Sequence, residues 1–136
     1  TFNTQAQKED VNLKIDVKLP FELEINDTEL CALLSNVLEN AITAAAQVDD
    51  KKLRKVYIHA VVNNQKLLIS TENAYMGKIE MDGELPKSNK KGDRHGFGIK
   101  SIMTIVKRYG GLYSFETEGG VFILQILLPL KNTVKV

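Results

Sequence analysis

The stretch Leu33-Leu34-Ser35-Asn36-Val37-Leu38-Glu39-Asn40-Ala41 decides how this chain is read. Each residue of an α-helix advances about 100°, so Leu30, Leu33, Leu34, Val37, Leu38, Ala41, Ile42 and Ala45 form one broad apolar stripe. Asn36 and Asn40 fall together, one turn apart, at the margin of that stripe, and Thr43 continues their row. Carboxamides there suit the border of a pocket beside the core, because a buried amide without partners costs about 1–3 kcal/mol. The helix is expected from about Asp27 to Val48. Asn26 with Glu29 reads as a capping box, and Ile25 with Leu30 as a hydrophobic staple.

The 136 residues fit one domain with a substantial core, and 43% hydrophobic with 26% charged residues is a globular composition. Eighteen basic against seventeen acidic residues leave a net charge of +1. No global field therefore argues for nucleic acid or an acidic membrane surface. Cys31 is the single cysteine, which excludes an internal disulfide framework and suits a reducing compartment. No stretch approaches the ~20 apolar residues of a membrane span, and no signal peptide is visible. The chain opens on Thr1, as expected of a piece of a longer protein.

Taken in order, residues 1–10 are polar and expected to fray or to serve as a linker, with the domain proper running from 11 to 136. Val11, Leu13, Ile15, Val17 and Leu19 alternate, which predicts a strand ended by Pro20. Phe21 to Ile25 reads as a short extended approach to the helix. Beyond the helix, Asp49 to Lys52 make a charged exit turn. Lys55–Val62 and Lys66–Thr71 are two β-rich runs joined at Asn63-Asn64-Gln65, a hairpin signal. Leu112–Thr117 and Val121–Leu130 form a second pair across Glu118-Gly119-Gly120. A second helix is predicted from about Gly98 to Tyr109, with Gly110 as its left-handed stop.

The stretch from Ala74 to His95 shows no period and carries Lys78, Lys87, Lys90, Lys91 and Arg94. Long gaps of this kind inside a domain tend to be lids, binding loops or disordered segments; the flanking motifs favour a lid. It leads into His95-Gly96-Phe97-Gly98-Ile99. Glycines two apart before a helix let the backbone approach a ligand and leave N–H groups aimed at an anion. Alone this is a weak signal. Combined with the asparagine row it suggests a magnesium–nucleotide site, since Mg²⁺ takes one or two hard oxygens from protein and keeps several waters. The carbonyl of Asn40 supplies one such oxygen, and the lid cations offset phosphate charge. No Walker loop is present.

These residues resemble the GHKL (Bergerat) ATP-binding fold, shared by gyrase, the heat-shock chaperone, mismatch-repair ATPases and sensor histidine kinases. Asn36-Val37-Leu38-Glu39-Asn40-Ala41 is similar to the kinase form of the asparagine box, and the resemblance covers residues 11 to 130. Asn73-Ala74-Tyr75-Met76-Gly77 and His95-Gly96-Phe97-Gly98 look most like the peptide-responsive sensor kinases of Gram-positive bacteria. The resemblance implies an α+β fold: a two-layer sandwich of a mixed, mainly antiparallel sheet with helices on one face and a flexible ATP lid.

It further implies ATP and Mg²⁺ as ligands. Asn40 would hold the metal and Asn36 would lie by the phosphates. Gly96 and Gly98 would form the glycine box, and Lys90, Lys91 or Arg94 would contact phosphate from the lid. Asn73 stands where the family has an adenine-binding aspartate, and Tyr75 replaces a first glycine whose companion, Gly77, is kept. An amide oxygen still accepts from an amino group, but the charge assistance is lost, so weaker nucleotide affinity is expected. Thr43 stands where many sensor kinases carry a basic residue.

The ATPase branches place a glutamate where Asn36 stands, and a carboxamide has no useful basicity for activating water. Glu39 is expected to point away from the row. The site is therefore expected to position ATP for transfer and to hydrolyse little. His59 reads as a sheet-surface histidine, and His95 as part of the lid rather than a phosphoacceptor. By the resemblance, the acceptor histidine lies on an upstream dimerisation domain absent from this chain, which leaves the fragment inactive alone in autophosphorylation. A cytoplasmic location within a membrane-anchored receptor kinase, an indirect link to a response regulator and a monomeric isolated fragment are further implications. Two rivals share the fold: an anti-sigma-factor serine kinase, and a nucleotide-binding regulatory module without transfer activity.

Overall fold

The computed structural model describes residues 2–20, 25–77, 81–82, 85–86 and 94–130, with backbone alone at 2–3, 81–82, 85–86 and 94–99. Its elements are α1 (Phe2–Lys8), β1 (Asn12–Lys18), α2 (Asp27–Ala46), β2 (Lys55–Asn63), β3 (Lys66–Ala74), β4 (Met81–Asp82), β5 (Leu85–Pro86), α3 (Arg94–Arg108), β6 (Leu112–Glu118) and β7 (Val121–Pro129). Five strands make one sheet in the order β1-β2-β3-β7-β6. β1 and β2 are parallel; the other neighbours are antiparallel. The result is the expected α+β sandwich, with the helices on one face.

The sheet's inward residues explain that layering. Val56, Ile58 and Ala60 of β2, Leu67 and Ile69 of β3, and Leu124, Ile126 and Leu128 of β7 are all buried. They meet Leu33, Val37, Leu38, Ala41, Ile42 and Ala45 of α2, the stripe foreseen in the sequence, and Ile102, Met103, Ile105 and Val106 of α3. Each such side chain contributes roughly 1.5–3 kcal/mol on burial. The β2–β3 and β6–β7 turns are two-residue turns with positive φ, at Asn64 and Gln65 and at Gly119 and Gly120, the twist that flanking strands require.

The directions of the elements decide where the site lies. We call the end with the Asn63–Lys66 turn upper, and the end with Val56, Asn73 and Phe122, which pair across the sheet, lower. β2 rises and β3 descends. α2 leads into β2 at the lower end through the short 3-10 helix Lys51–Leu53, whose first turn is capped by Asp50 Oδ1 accepting from Lys52 N at 3.0 Å. α3 leads into β6 at its upper end through Gly110, with φ 68°, and Gly111. A Cβ on Gly111 would stand 2.6 Å from Leu127 O and from Leu128 Cδ2, so only glycine lets this turn close on β7.

Several expectations are corrected. Within the stretch expected to fray or to serve as a linker, Phe2–Lys8 form α1, which buries Ala6. The tie is Arg54, which donates to Val48 O and Glu9 O, each at 2.8 Å. β3 runs three residues past Thr71, because Glu72, Asn73 and Ala74 find partners on β7. α3 starts at Arg94 rather than Gly98, which draws Gly96 and Gly98 into its first turns. The unpatterned gap contains an antiparallel β4–β5 pair. Residues 78–80, 83–84 and 87–93 of the expected lid, with Lys78, Lys87, Lys90 and Lys91, lie outside the described residues, as do Phe21 to Glu24 of the expected approach to α2.

Candidate functional site

The candidate site is built where α2, β3 and α3 share the lower end of the sandwich. α2 begins as the sequence indicates, with Asn26 Oδ1 accepting from Glu29 N at 3.1 Å. The capping box closes differently from expectation. Glu29 Oε1 accepts from the Tyr109 hydroxyl at 2.6 Å, and that hydroxyl oxygen accepts from Asn26 N at 3.2 Å. Arg108 completes the cluster with an ion pair to Glu29 Oε2. The start of α2 is thereby fastened to the end of α3, so the two helices run in opposite directions from a shared upper anchor.

Distance along the helices then follows from a rise of 1.5 Å per residue. From Glu29, Asn36 lies about 10 Å and Asn40 about 16 Å down α2. From Arg108, Gly98 lies about 15 Å and Gly96 about 18 Å down α3. Asn40 and the two glycines thus reach a similar level, and Asn73, one residue from the lower end of β3, belongs to the same end. An α-helix leaves its first four N–H groups without internal partners. That rule covers Gly96 but places Gly98 in the ladder, so the free donors of α3 centre earlier than expected. Gly77, with φ 86°, follows the same end of β3, and Arg94 opens α3.

The polar atoms carry a second message. Asn36 and Asn40 are both half-buried, and Asn40 Nδ2 is buried without a hydrogen-bond partner. Asn73 is 5% exposed, and its Nδ2 donates to Ala74 O at 2.9 Å. That bond orients the amide and reserves Oδ1 as an acceptor. Thr71, 2% exposed and two residues away on the same strand face, has a buried hydroxyl with no partner. Orphaned buried polar atoms are few in folded proteins and call for an explanation. Thr71 was missed in the sequence, although the inward series Leu67, Ile69, Thr71, Asn73 marks where a buried strand face turns polar.

These groups suit a nucleotide with a magnesium ion. The unpartnered Asn40 Nδ2 is a donor for which phosphate oxygen is a natural acceptor, and its amide oxygen is a hard ligand. Thr71 Oγ1 and Asn73 Oδ1 offer a hydroxyl and an acceptor to a base edge. Among the described residues no group of three His, Cys, Asp or Glu could hold a metal by itself. His59 lies on the open face of the sheet, half-buried and stacked on Tyr57 at 6.3 Å, as read from the sequence.

Comparison with known proteins assigns the fold and the family. The family described as "GHKL domain" matches residues 25–129. No curated protein matches the sequence. Among solved structures, the Acinetobacter baumannii histidine kinase AdeS is similar, with a TM-score of 0.66 at 16% identity over 96% of this chain and 60% of that one. The catalytic domain of histidine kinase ThkA gives 0.70 at 19% identity, covering 94% of this chain and 84% of that one. The blue-light activated histidine kinase EL346 of Erythrobacter litoralis gives 0.61 at 17% over 99% and 41%. The chain thus spans about 60% of the AdeS structure. At these identities the likeness is one of fold.

Proposed function

This chain belongs to the GHKL domain family, and from that premise we propose that it is the ATP-binding catalytic domain of a sensor histidine kinase. Asn40 holds Mg²⁺ through its amide oxygen, Asn36 lies beside the phosphates, and Gly96 and Gly98 frame them at the start of α3. Asn73 accepts from the adenine amino group. Lys90, Lys91 and Arg94 are the cationic contributors from the lid side. Bound Mg²⁺ supplies charge neutralisation across the phosphates, which phosphoryl transfer needs along with positioning.

The remaining work falls to the protein's own groups. Asn36 cannot take a proton from water near pH 7, so the site keeps ATP for another acceptor. That acceptor is a histidine on a dimerisation domain upstream in a longer, membrane-anchored protein whose catalytic part is cytoplasmic. A response regulator then receives the phosphoryl group. The motifs Asn73–Gly77 and His95–Gly98 favour the peptide-responsive branch of these kinases.

The observation that carries the proposal is the buried, unpartnered Asn40 Nδ2 at the level of the α3 glycines. Calorimetric titration with ATP tests it. Binding is expected to require Mg²⁺, and Asn40→Ala is expected to weaken it at least about tenfold, the effect of one lost charge-assisted contact, with an unchanged circular dichroism spectrum. Equal affinity in the variant removes Asn40 from the site. Tight binding without any transfer to a histidine-bearing dimerisation domain supplied in trans favours the regulatory-module reading.

A further inference from the structure

Among the described residues β1 is an edge of the sheet, with no strand on its outer side. Asn12 donates its N–H to Arg54 O at 2.8 Å, so Asn12, Lys14, Asp16 and Lys18 turn their backbone groups toward β2. By alternation, Leu13, Ile15 and Val17 turn theirs outward. The same three side chains lie on the helix-facing side, opposite Val56, Ile58 and Ala60. Yet Ile15 is 47% and Val17 39% exposed. An unpaired edge with exposed apolar residues is a template for another strand.

The charges on the opposite side identify which strand fits. Lys14 and Asp16 stand on the open face, fixed by Tyr57: Lys14 Nζ lies 5.3 Å from the ring centroid, and the Tyr57 hydroxyl donates to Asp16 Oδ2 at 3.4 Å. A second β1 laid antiparallel, with its centre at Ile15, sets Lys14 opposite Asp16 of the second copy, and Asp16 opposite its Lys14. Ile15 then faces Ile15, and Leu13 faces Val17. The outward residues fall at hydrogen-bonded pairs, so each outward N–H and C=O finds a partner. Lys14 and Asp16 fall at the non-hydrogen-bonded pairs, where facing side chains approach most closely. A parallel pairing in register would instead oppose lysine to lysine.

We propose that β1 pairs antiparallel with β1 of a second copy of this chain, joining two five-stranded sheets across a two-fold axis. The interface is isologous, as such symmetry requires. It is small, so the association is weak and reversible. It departs from the monomer expected of the isolated chain and does not rest on the nucleotide reading.

Sedimentation equilibrium up to about 1 mM chain, a range suited to weak interfaces, tests the proposal. A monomer–dimer equilibrium is expected. Asp16→Lys and Lys14→Asp each place like charges at both symmetric pairs and are expected to weaken the dimer at least about tenfold. The double variant Lys14→Asp/Asp16→Lys restores complementarity and is expected to dimerise within about threefold of the parent. Mixing the two single variants should give a heterodimer, which also shows that each is folded. A monomer at every concentration overturns the proposal. So does a dimer indifferent to charge reversal, which would place the contact on another face.

Discussion

Thr71 carries a hydroxyl that no described residue of the fold engages. Its hydroxyl is buried without a partner, a state that costs about 1–3 kcal/mol. Thr71→Val is therefore expected to raise stability in urea by about 1 kcal/mol while weakening ATP binding several-fold. A loss of stability with unchanged affinity would assign the hydroxyl to the core alone. Tyr57 carries a different signature, on the open sheet face. Desolvation first, then the charge and hydrogen bond of Asp16, then Glu72, raise its phenol pKa above 10.0. The folded chain thus holds this proton to higher pH than the unfolded chain does. The stabilisation is complete below pH 10 and is lost as pH rises through the folded value. Ultraviolet titration should show late phenolate formation, moved back toward 10.0 by Asp16→Asn; an identical titration in that variant contradicts the Asp16 contribution.

At the scale of elements, the Glu29–Tyr109–Arg108 cluster fixes how α2 and α3 face one another. Tyr109→Phe removes both the donor to Glu29 and the acceptor for Asn26 N. It is expected to cost about 1–3 kcal/mol by urea unfolding and to weaken nucleotide binding at the other end of the helices. Unchanged stability would show the cluster to be incidental. The cluster is not legible in the sequence, where Glu29 has only the local capping partner to offer; a contact across eighty positions has no local sign. What is legible is what has a local signature: the α2 stripe, the two β-rich pairs with their turns, and the glycine stop of α3. The misreadings share a cause, which is tertiary support overriding local preference. Glycines disfavour helix, yet α3 includes Gly96 and Gly98. Asparagine disfavours strand, yet Asn73 is paired on both sides, to Val56 and to Phe122. α1 has no legible period, because Ala6 is the one buried residue among its described side chains.

At the scale of the molecule, topology gathers the site. A descending α2, a descending β3 and an ascending α3 bring Asn40, Asn73 and the glycines to one end, although they are scattered through the chain. The sequence carried the asparagine row and the glycine pair because both are motifs with their own spacing. Thr71 was hidden because a single inward threonine looks like core. The most direct measurement is amide NMR of the chain titrated with Mg·ATP. Shifts concentrated at residues 36–43, 71–77 and 94–100, with β1 and the upper turn at 63–66 undisturbed, are the expected result. Shifts confined to the open sheet face, or none at millimolar nucleotide, would contradict a nucleotide site between α2 and α3.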